Sequence, residues 1–318
     1  MGYDLITSGY CSLDRIVKTK TYPKVGKTAI IANSNHAKIY YGGCNVNVSV
    51  SLARLKLKAA PILRVGEDYE SAGFKNYLDT NKVVLEATKK LENVSTSATY
   101  LVETPDNQHI TLFYPGAMDN SLFSPYFDQW FEDTKCALMT VASLNDNTEF
   151  LKKVKKFELP LFLGMKMDSD AFPKSFLKEC LDSVEVLFTN ETEAGCIADI
   201  YDVKSCEELI NSLPKIKIII ITKGKFGSSA IYKEKNEFKY ESVGIVKANK
   251  VVDTVGSGDA FIAGYIYGYL NNKSIRESME LGATLASFVI EGLGSTTNSP
   301  IETDLINRYQ NNFGKENK

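Results

Sequence analysis

A glycine-rich turn followed at once by a carboxylate is the strongest chemical feature of the sequence. The string Gly256-Ser257-Gly258-Asp259 precedes the apolar residues of a predicted helix, Asp259–Leu270. Free N–H groups at such a helix start form an anion hole for a phosphate, beside the positive end of the helix dipole. Asp259, on the first turn, could accept the proton of an alcohol that attacks phosphorus there. The alternative is structural, with Ser257 or Asp259 only capping the helix.

A second glycine-rich turn, Gly42-Gly43, stands before the predicted helix Asn47–Leu55. This turn would also present polar amides at a helix start. Asn47 could bond a neutral polyol there without adding charge, and its structural alternative is a helix N-cap.

Polar groups also follow two predicted strands. Asn190 and Glu193 come directly after the strand Val184–Thr189. The carboxyl ends of parallel strands usually face a ligand crevice, and these groups suit Mg²⁺ that is held mostly through water. A capping box is the alternative for both residues. The turn Thr222–Gly227, which closes the next predicted strand, could line a nucleotide or serve only as a turn.

These polar segments are spaced by alternating strands and helices. Short β-branched or apolar runs alternate with longer runs of helical period, which is the pattern of βα units around a mostly parallel sheet. Strands are predicted at Tyr3–Ser8, Ala60–Val65, Ala137–Val141, Leu161–Leu163, Val184–Thr189 and Ile216–Thr222. Helices are predicted at Asn47–Leu55, Ser71–Asn81, Thr148–Phe157, Ser175–Leu181, Glu191–Ala198, Ser205–Ser212, Asp259–Leu270 and Ile275–Glu291.

Two stretches, Asp14–Tyr41 and Thr96–Gly116, break that alternation with strand-like segments. The second carries a hairpin signal at Pro105-Asp106-Asn107. We expect both stretches to form a small sheet that projects from the main body, either as a decorative hairpin or as a lid. No repeat, low-complexity tract or linker divides the sequence. Residues 1–318 are therefore expected to form one domain, frayed only at Asn311–Lys318.

Composition and charge exclude several classes of protein. The 318 residues include 37 basic and 39 acidic side chains, so the net charge of −2 creates no positive field for nucleic acid or an anionic membrane. The longest purely apolar run, Ile218–Ile221, is too short to span a bilayer. Six cysteines without a Cys-x-x-Cys pair, and an N-terminus unlike a signal peptide, indicate reduced thiols in a cytoplasmic protein. Only two histidines are present, His36 and His109, which disfavours a zinc site or a Ser-His-Asp triad.

At the residues singled out above, the chain resembles the ribokinase or pfkB family of carbohydrate and nucleoside kinases, over nearly its whole length. The segment Asp253–Ile266 fits the C-terminal signature of that family at every constrained position. Gly42-Gly43 through Asn47, with Ser49 and Gly66, fits the N-terminal signature in part, and Asn190–Glu193 is similar to the N-x-x-E motif associated with magnesium and phosphate.

The chain also departs from the family pattern. Asn45 stands where a small residue or proline is preferred, Lys56 where glycine or serine is usual, and Cys44 where some sugar kinases carry lysine. Ser12 replaces an asparagine of many sugar kinases, and Val141-Ala142-Ser143 lacks the acidic residue of several pentose kinases. These departures argue against ribose itself as the acceptor.

The resemblance implies a ribokinase-like (Rossmann-like) α/β sandwich, with a mostly parallel central sheet and a small β-sheet lid. It implies that Asp259 is the general base and that the amides from Val255 to Gly258, which include Gly256 and Ser257, form the anion hole. Residues implied to bind the acceptor are Asp14, Gly42, Gly43, Asn47 and Tyr114, although Tyr114 could equally be lid core. Residues implied to bind the nucleotide are Asn190, Thr222, Gly224, Gly227 and Thr284. Asn190 and Glu193 would hold Mg²⁺ through water, and a monovalent cation such as K⁺ would lie near Asp253, Val255 and Gly294.

The predicted activity is that of an ATP-dependent kinase that transfers the γ-phosphoryl group to a hydroxymethyl of a small sugar. A nucleoside (adenosine-like) kinase of the same family is the alternative. The alternative from another class is a non-catalytic, sugar-responsive binding protein, but a binding protein needs no base, so Asp259 and its two glycines favour an enzyme. The unpaired edge strands of a lid also predict a homodimer that forms through the lid.

Overall fold

Two β-sheets of eight and four strands organise the computed structural model, which describes residues 2–106, 108–164, 166 and 168–314. In chain order the strands are β1 (Leu5–Ser8), β2 (Ser12–Lys18), β3 (Tyr40–Gly42), β4 (Ala59–Pro61), β5 (Leu63–Val65), β6 (Thr88–Lys90), β7 (Ala98–Glu103), β8 (His109–Tyr114), β9 (Ala137–Met139), β10 (Leu161–Gly164), β11 (Val186–Asn190), β12 (Ile218–Thr222), β13 (Ser228–Glu234) and β14 (Glu237–Val243). The α-helices are α1 (Cys44–Arg54), α2 (Phe74–Thr80), α3 (Leu144–Lys156), α4 (Lys174–Leu181), α5 (Glu191–Tyr201), α6 (Cys206–Ser212), α7 (Ser257–Leu270), α8 (Ile275–Val289) and α9 (Glu302–Phe313).

The large sheet has the strand order β14-β13-β12-β11-β10-β9-β1-β4. The strands from β12 to β4 run parallel to one another, and β13 and β14 add an antiparallel hairpin at one edge. Parallel strands bring their carboxyl ends to the same edge of the sheet, which is where ligands bind in folds of this kind.

Helices cover both faces of the large sheet, because its buried strands present apolar side chains to either side. Leu5 and Phe162 face one layer, in which α1, α7 and α8 pack. Their neighbours Ile6 and Leu161 face the other layer, which contains α3 and α4. Full burial of each large side chain contributes about 1.5–3 kcal/mol, so these two layers fix the positions of the helix starts at the carboxyl edge.

The small sheet has the order β3-β2-β7-β8 and takes strands from both predicted insertions. β2 pairs with β7 in parallel, and β8 is an antiparallel edge strand. The hairpin predicted around Pro105-Asp106-Asn107 joins β7 to β8, although Asn107 itself lies outside the described residues. The predicted α/β class, with a mostly parallel central sheet and a smaller sheet, is confirmed.

Several boundaries differ from the sequence prediction. The predicted strand Ala60–Val65 is divided, since β4 pairs with β1 in the large sheet whereas β5 pairs with β6. The helices predicted from Asn47 and Asp259 begin earlier, at Cys44 and Ser257. In both cases a glycine with positive φ ends the preceding turn, and this geometry is not visible as a polar cap in the sequence.

The sequence prediction misses the β13–β14 hairpin and α9. The hairpin turns at Lys235-Asn236, which have φ of 48° and 70°, as in a type I′ turn, but lack the Asn-Gly pair that usually marks one. α9 is mostly polar, and it packs on the core through buried Leu305 and the partly buried side chains of Ile306, Tyr309 and Phe313. The tail that the sequence predicts to be frayed from Asn311 therefore begins inside α9, and its residues 315–318 lie outside the described residues.

Three features of the described residues concern membrane-spanning helices, disulfide bonds and metal-binding groups. Within the described ranges, no helix is long and apolar enough to cross a membrane. All six cysteines are free thiols, of which Cys11, Cys136 and Cys180 are buried. The described part of the chain contains no group of three or more His, Cys, Asp or Glu side chains that could hold a metal ion.

Candidate active site

The start of α7 lies at the carboxyl edge of the large sheet and depends on Gly256. This residue is the N-cap, with φ of 80° in the left-handed region. A Cβ at this position would lie only 2.5 Å from the Cβ of Ser295. Glycine is therefore required both by the backbone conformation and by the close approach of the neighbouring segment.

Two of the four amides predicted to form the anion hole are free to do so. The N–H groups of Val255 and Ser257 donate to the Asp253 carboxylate and the Thr254 carbonyl, which corrects the prediction for these two. The N–H groups of Gly256 and Gly258 have no hydrogen-bond partner in the part of the chain that the structure describes. A Cβ on Gly258 would meet no atom of the described structure within 4 Å, so the space beside this residue is open.

The carboxylate of Asp259 is held by Asn47, not by the backbone of its own helix. Asn47 Nδ2 donates to Asp259 Oδ2 over 2.7 Å. No side chain caps α7, and α1 begins at Cys44 with Gly43 as its N-cap. The capping interpretations of Ser257, Asp259 and Asn47 are therefore wrong. The fold instead brings together Asn47 and Asp259, two predicted site residues that are 212 positions apart in the sequence.

Burial raises the pKa of Asp259 above its usual value. The hydrogen bond from Asn47, the positive charge of Lys166 and a hydrogen bond from the Cys44 thiol oppose this effect without cancelling it. A carboxylate whose pKa is raised is a better proton acceptor than an exposed one, which suits the role of general base.

Asp14, Gly42 and Asn47 form the opposite wall of the site. A Cβ placed on Gly42 would lie 2.5 Å from Asp14 Oδ2 and 3.6 Å from Asn47 Oδ1, so both oxygens face the same point. Asn47 Oδ1 is buried and has no hydrogen-bond donor in the described structure. The side chain of Asn47 thus holds Asp259 through its nitrogen and leaves its oxygen for another donor.

Burial raises the pKa of Asp14 to about 6. Hydrogen bonds from Ser12 and Thr99, and the positive charge of Lys166, oppose the effect of burial. Asp14 therefore changes charge near neutral pH and not in the acidic range typical of aspartate.

The register of the small sheet corrects the prediction for Tyr114. Asp14 is in register with Thr99, and Thr99 with Phe113, so these three share one face of the sheet. Tyr114 pairs with Ala98 and points to the opposite face. Phe113 also contacts the ring of Tyr10, with centroids 4.8 Å apart. The aromatic surface beside Asp14 is therefore Phe113 with Tyr10.

Asn190 and Glu193 form a capping box at the start of α5. Asn190 Oδ1 accepts from the Glu193 N–H, and Glu193 Oε2 accepts from the Asn190 N–H, each over 2.9 Å. Burial raises the pKa of Glu193, against the Asn190 hydrogen bond and the charge of Lys166. The capping box that the sequence offered as the alternative is therefore present. The second carboxylate oxygen of Glu193, Oε1, has no hydrogen-bond partner within the described ranges.

The residues predicted to bind the nucleotide lie in two different environments. Thr222 ends β12 and donates its hydroxyl to the Thr189 carbonyl. Gly224 and Gly227 have positive φ in the turn to β13, and a Cβ on Gly224 would meet nothing within 4 Å. Thr284 is fully buried in α8, where its hydroxyl donates to the Glu280 carbonyl. The structure therefore corrects the prediction for Thr284, which offers no polar group to a ligand.

The three residues predicted near a monovalent cation do come together. Asp253 Oδ1 accepts from the Val255 N–H, and Asp253 Oδ2 accepts from the Gly294 N–H, each over 3.0 Å. This carboxylate ties the segment before α7 to the turn after α8. Cation binding at this point stays a prediction.

Lys166 and Cys44 are site residues that the sequence analysis does not place there. The pKa of Lys166 is raised by its interactions with Cys44, Asp259, Glu193 and Asp14, in decreasing order, against the effect of burial. Burial, with Asp259 nearby, raises the pKa of Cys44 to about 12, so the thiol is neutral at pH 7. The one signal for Lys166 is its position, two residues beyond the carboxyl end of a buried strand.

Comparison with known proteins identifies the family. A model of the pfkB family of carbohydrate kinases matches residues 4–302. A nucleoside kinase of Methanocaldococcus jannaschii is 27% identical over 304 residues, covering 95% of each chain. The structure of a Burkholderia thailandensis nucleoside kinase in complex with inosine is 20% identical with a TM-score of 0.83, covering 98% of this chain and 97% of that one. The structure of Arabidopsis thaliana ribokinase with ribose and ATP is 22% identical with a TM-score of 0.80, covering 98% of this chain and 99% of that one.

The resemblance and the ribokinase-like fold predicted from the sequence are confirmed by these comparisons. The family match spans nearly the whole chain, and it includes Asp14, Asn47 and Asp259, which the fold brings to one site. The chain therefore belongs to the pfkB family of carbohydrate kinases.

Proposed function

We propose that the protein is an ATP-dependent kinase that transfers the γ-phosphoryl group to a hydroxymethyl group of a small sugar or nucleoside. The hydrogen bond between Asn47 Nδ2 and Asp259 Oδ2 carries this proposal, since it joins a candidate base to the wall of polar groups around Asp14. The free amides of Gly256 and Gly258 lie on the same first turn as that base. ATP as the donor is supported by the Arabidopsis ribokinase structure, whose ligands are ribose and ATP.

In the proposed reaction the acceptor oxygen forms a bond to the γ-phosphorus, and the bond from that phosphorus to the leaving oxygen of ADP breaks. Asp259 takes the proton of the acceptor hydroxyl. The amides of Gly256 and Gly258 donate to the phosphoryl oxygens, where negative charge is concentrated. Because the transition state is loose and asks little of the base, most of the catalysis comes from positioning and from charge stabilisation.

The acceptor is held on the other side of the reacting hydroxyl. The Asp14 carboxylate accepts hydrogen bonds from acceptor hydroxyls, and so does Asn47 Oδ1, which has no donor among the described residues. Leaving such groups unpaired in a closed site is costly, so these contacts select a hydroxylated acceptor.

The residues around Asn190 and Glu193 fit Mg²⁺ that keeps most of its water. Mg²⁺ is commonly bound by one or two carboxylates and by substrate phosphates, and Glu193 supplies one carboxylate with a free oxygen beside the capping box. When held there, Mg²⁺ would neutralise part of the negative charge of the ATP phosphates. K⁺ near Asp253, Val255 and Gly294 is a further proposal, supported by the way these residues meet.

The Tyr10–Phe113 pair favours a nucleoside among the two acceptor classes. Asp14 and Asn47 alone would suffice for a free sugar. Phe113 is 42% exposed on the same sheet face as Asp14, so it offers a flat apolar surface within reach of a base that is attached to a bound ribose. The inosine complex of the Burkholderia relative agrees with this choice.

The test is an ADP-release assay against panels of nucleosides, free sugars and sugar phosphates, with the phosphorylated position read by ³¹P NMR. Asp259→Asn keeps the size of the side chain but removes the proton acceptor, so kcat should fall by about 10²–10⁴ with unchanged or tighter ATP binding. Asp199→Asn, on the exposed side of α5, is the matched control and should retain full activity. A kcat for Asp259→Asn within threefold of the parent would remove Asp259 from the role of base. A parent protein that binds a sugar but releases no ADP with any acceptor would favour the sugar-responsive binding protein.

Three finer proposals concern the whole protein. We propose that the small sheet is a lid that excludes water from the reacting phosphoryl group. The exposed edge strand β8, with exposed Ile110 and Leu112, supports a homodimer that forms through this lid. The six free thiols support a reducing, cytoplasmic location.

A further inference from the structure

The segment that follows β10 begins beside α7, at the carboxyl edge of the large sheet. Gly164, the last residue of β10, is in register with Phe188 of β11, and a Cβ on Gly164 would lie 2.6 Å from Cδ1 of Ile262. Ile262 is three residues beyond Asp259 on α7, so the end of β10 lies against the first two turns of that helix. Lys166 is two residues beyond this end, at the carboxyl edge of the sheet, where the neighbouring strand β11 leads into α5.

Three carboxylates and one thiol, from four different elements, raise the pKa of Lys166. They are Asp14 on β2, Cys44 on α1, Glu193 on α5 and Asp259 on α7. Lys166 is also the sole cationic side chain in the described structure that acts on the pKa of Asp14, of Glu193 and of Asp259. Three carboxylates at one site would repel a phosphate, and Lys166 is the charge that offsets them.

Lys166 has no ion pair of its own. In the described part of the chain, no carboxylate oxygen lies within 4 Å of its ammonium group, whereas other lysines, such as Lys153, are paired at 2.6 Å. The position after Gly43, where some relatives carry lysine, holds the neutral thiol of Cys44. Lys166 is thus an exposed lysine without a carboxylate partner among the described residues, at the same carboxyl edge of the sheet as the free amides of α7.

We propose that Lys166 binds the γ-phosphoryl group of ATP while it passes to the acceptor. This inference rests on the proposed function. As the bond from phosphorus to the ADP oxygen breaks and the bond to the acceptor oxygen forms, the Lys166 ammonium donates to the phosphoryl oxygens and keeps its own proton, since the acceptor proton goes to Asp259. A flexible lysine can follow the phosphoryl group between its two partners, in the way that fixed backbone amides cannot.

The test compares Lys166→Gln, which removes the charge, with Lys166→Arg, which keeps it. Lys215→Gln is the matched control, because Lys215 is exposed and precedes β12 at the opposite edge of the sheet. We expect kcat to fall by about 10²–10³ in Lys166→Gln and by less than tenfold in Lys166→Arg, with the KM for ATP and for the acceptor within threefold of the parent. The acidic limb of the kcat profile should move to higher pH in Lys166→Gln, because Lys166 lowers the pKa of Asp259.

A binding experiment separates this inference from the proposed function. ADP with aluminium fluoride, which mimics the transferring phosphoryl group, should raise the melting temperature of the parent and of Lys166→Arg more than ADP alone, and this difference should disappear in Lys166→Gln. A difference that survives in Lys166→Gln overturns the role of Lys166 even if the kinase activity is confirmed. Equal losses of kcat in Lys166→Gln and Lys166→Arg, with lowered melting temperatures in both, would likewise overturn it in favour of a structural role. A parent protein that shows this difference but phosphorylates no acceptor would support Lys166 while contradicting the proposed acceptor classes.

Discussion

The ionised form of Asp14 destabilises the folded protein, because burial disfavours the charged carboxylate. Burial raises its pKa from the usual value near 3.8 to about 6, so the folded protein holds a proton there between these two values that the unfolded chain has already lost. Ionisation of Asp14 therefore lowers the free energy of unfolding as the pH rises from about 3.8 to about 6. Under the proposed function, the ionised carboxylate at neutral pH is the form that binds the acceptor.

Asp14→Asn should therefore stabilise the protein and impair its function at pH 7.5. We expect a melting temperature equal to or above that of the parent, with the difference shrinking as the pH falls from about 6 towards 3.8 and vanishing below that, where Asp14 is neutral in the folded and the unfolded state. The KM for the acceptor should rise at least tenfold, while the KM for ATP stays unchanged. In the parent, kcat/KM for the acceptor should fall as the pH drops below about 6, and in Asp14→Asn this limb should be absent. An unaltered acceptor KM would show that Asp14 is only a residue of the strand β2.

Site residues could be predicted where a short string carries the chemistry. The sequence indicates both Asp259 and Asn47, because each polar residue closely follows a pair of glycines. Lys166 has no such string, and only the parallel pairing of β10 with β11 brings it to the site. Phe113 and Tyr114 are adjacent in sequence, and only the register of β8 decides which of them faces Asp14.

At the scale of elements, helix starts decide the chemistry, and sequence patterns locate them with an error of two or three residues. The helix α7 begins at Ser257 because Gly256 takes a left-handed conformation against Ser295, which is a tertiary contact. The apolar period of the helix indicates its existence but not this start. The same error made Asn47 and Asp259 look like caps, whereas their side chains bond each other.

Gly256 and Gly258 should respond to alanine in opposite ways. In Gly256→Ala the left-handed conformation costs about 1–2 kcal/mol, and the new Cβ also meets Ser295, so the melting temperature should fall by several degrees. In Gly258→Ala the Cβ meets no atom of the free protein, and alanine is the better helix former, so the melting temperature should hold or rise. That Cβ occupies the open space beside the free amide, where the phosphate is proposed to bind, so kcat/KM for ATP should fall at least about tenfold. Full activity in Gly258→Ala would mean that the phosphate does not lie at this turn.

At the scale of the molecule, two sheets meet at one site. The large sheet supplies the starts of α5 and α7 at its carboxyl edge, and the small sheet supplies Asp14 and Phe113 from β2 and β8. The class of the large sheet could be predicted from the alternation of βα units, because each unit is local in sequence. The pairing of β2 with β7 joins residues about 85 positions apart, so the sequence could indicate strand-like insertions but not their order in a common sheet.

If the small sheet closes over the acceptor, a change that loosens this sheet should alter the KM for the acceptor but not the KM for ATP. The turn between β7 and β8 is held by Thr104, whose N–H donates to the Gln108 carbonyl and whose hydroxyl donates to Asp106. Replacing residues 104–108 by Asn-Gly changes this turn, and with it the support for β8 and Phe113. We expect the KM for the acceptor to rise several-fold and ATP hydrolysis to increase relative to transfer, because water is excluded less well. The KM for ATP should stay within twofold.

The matched control for this change is the turn of the other hairpin. Replacing Lys235-Asn236 by Asn-Gly keeps the left-handed geometry of the β13–β14 turn, at the far edge of the large sheet, and should leave both KM values unchanged. Initial rates with both substrates varied, together with phosphate release in the absence of acceptor, give the required constants. An equal loss of affinity for ATP and acceptor in the 104–108 variant would mean that the small sheet supports the whole site and does not act as a lid, and unchanged hydrolysis would mean that water is excluded by other parts of the protein.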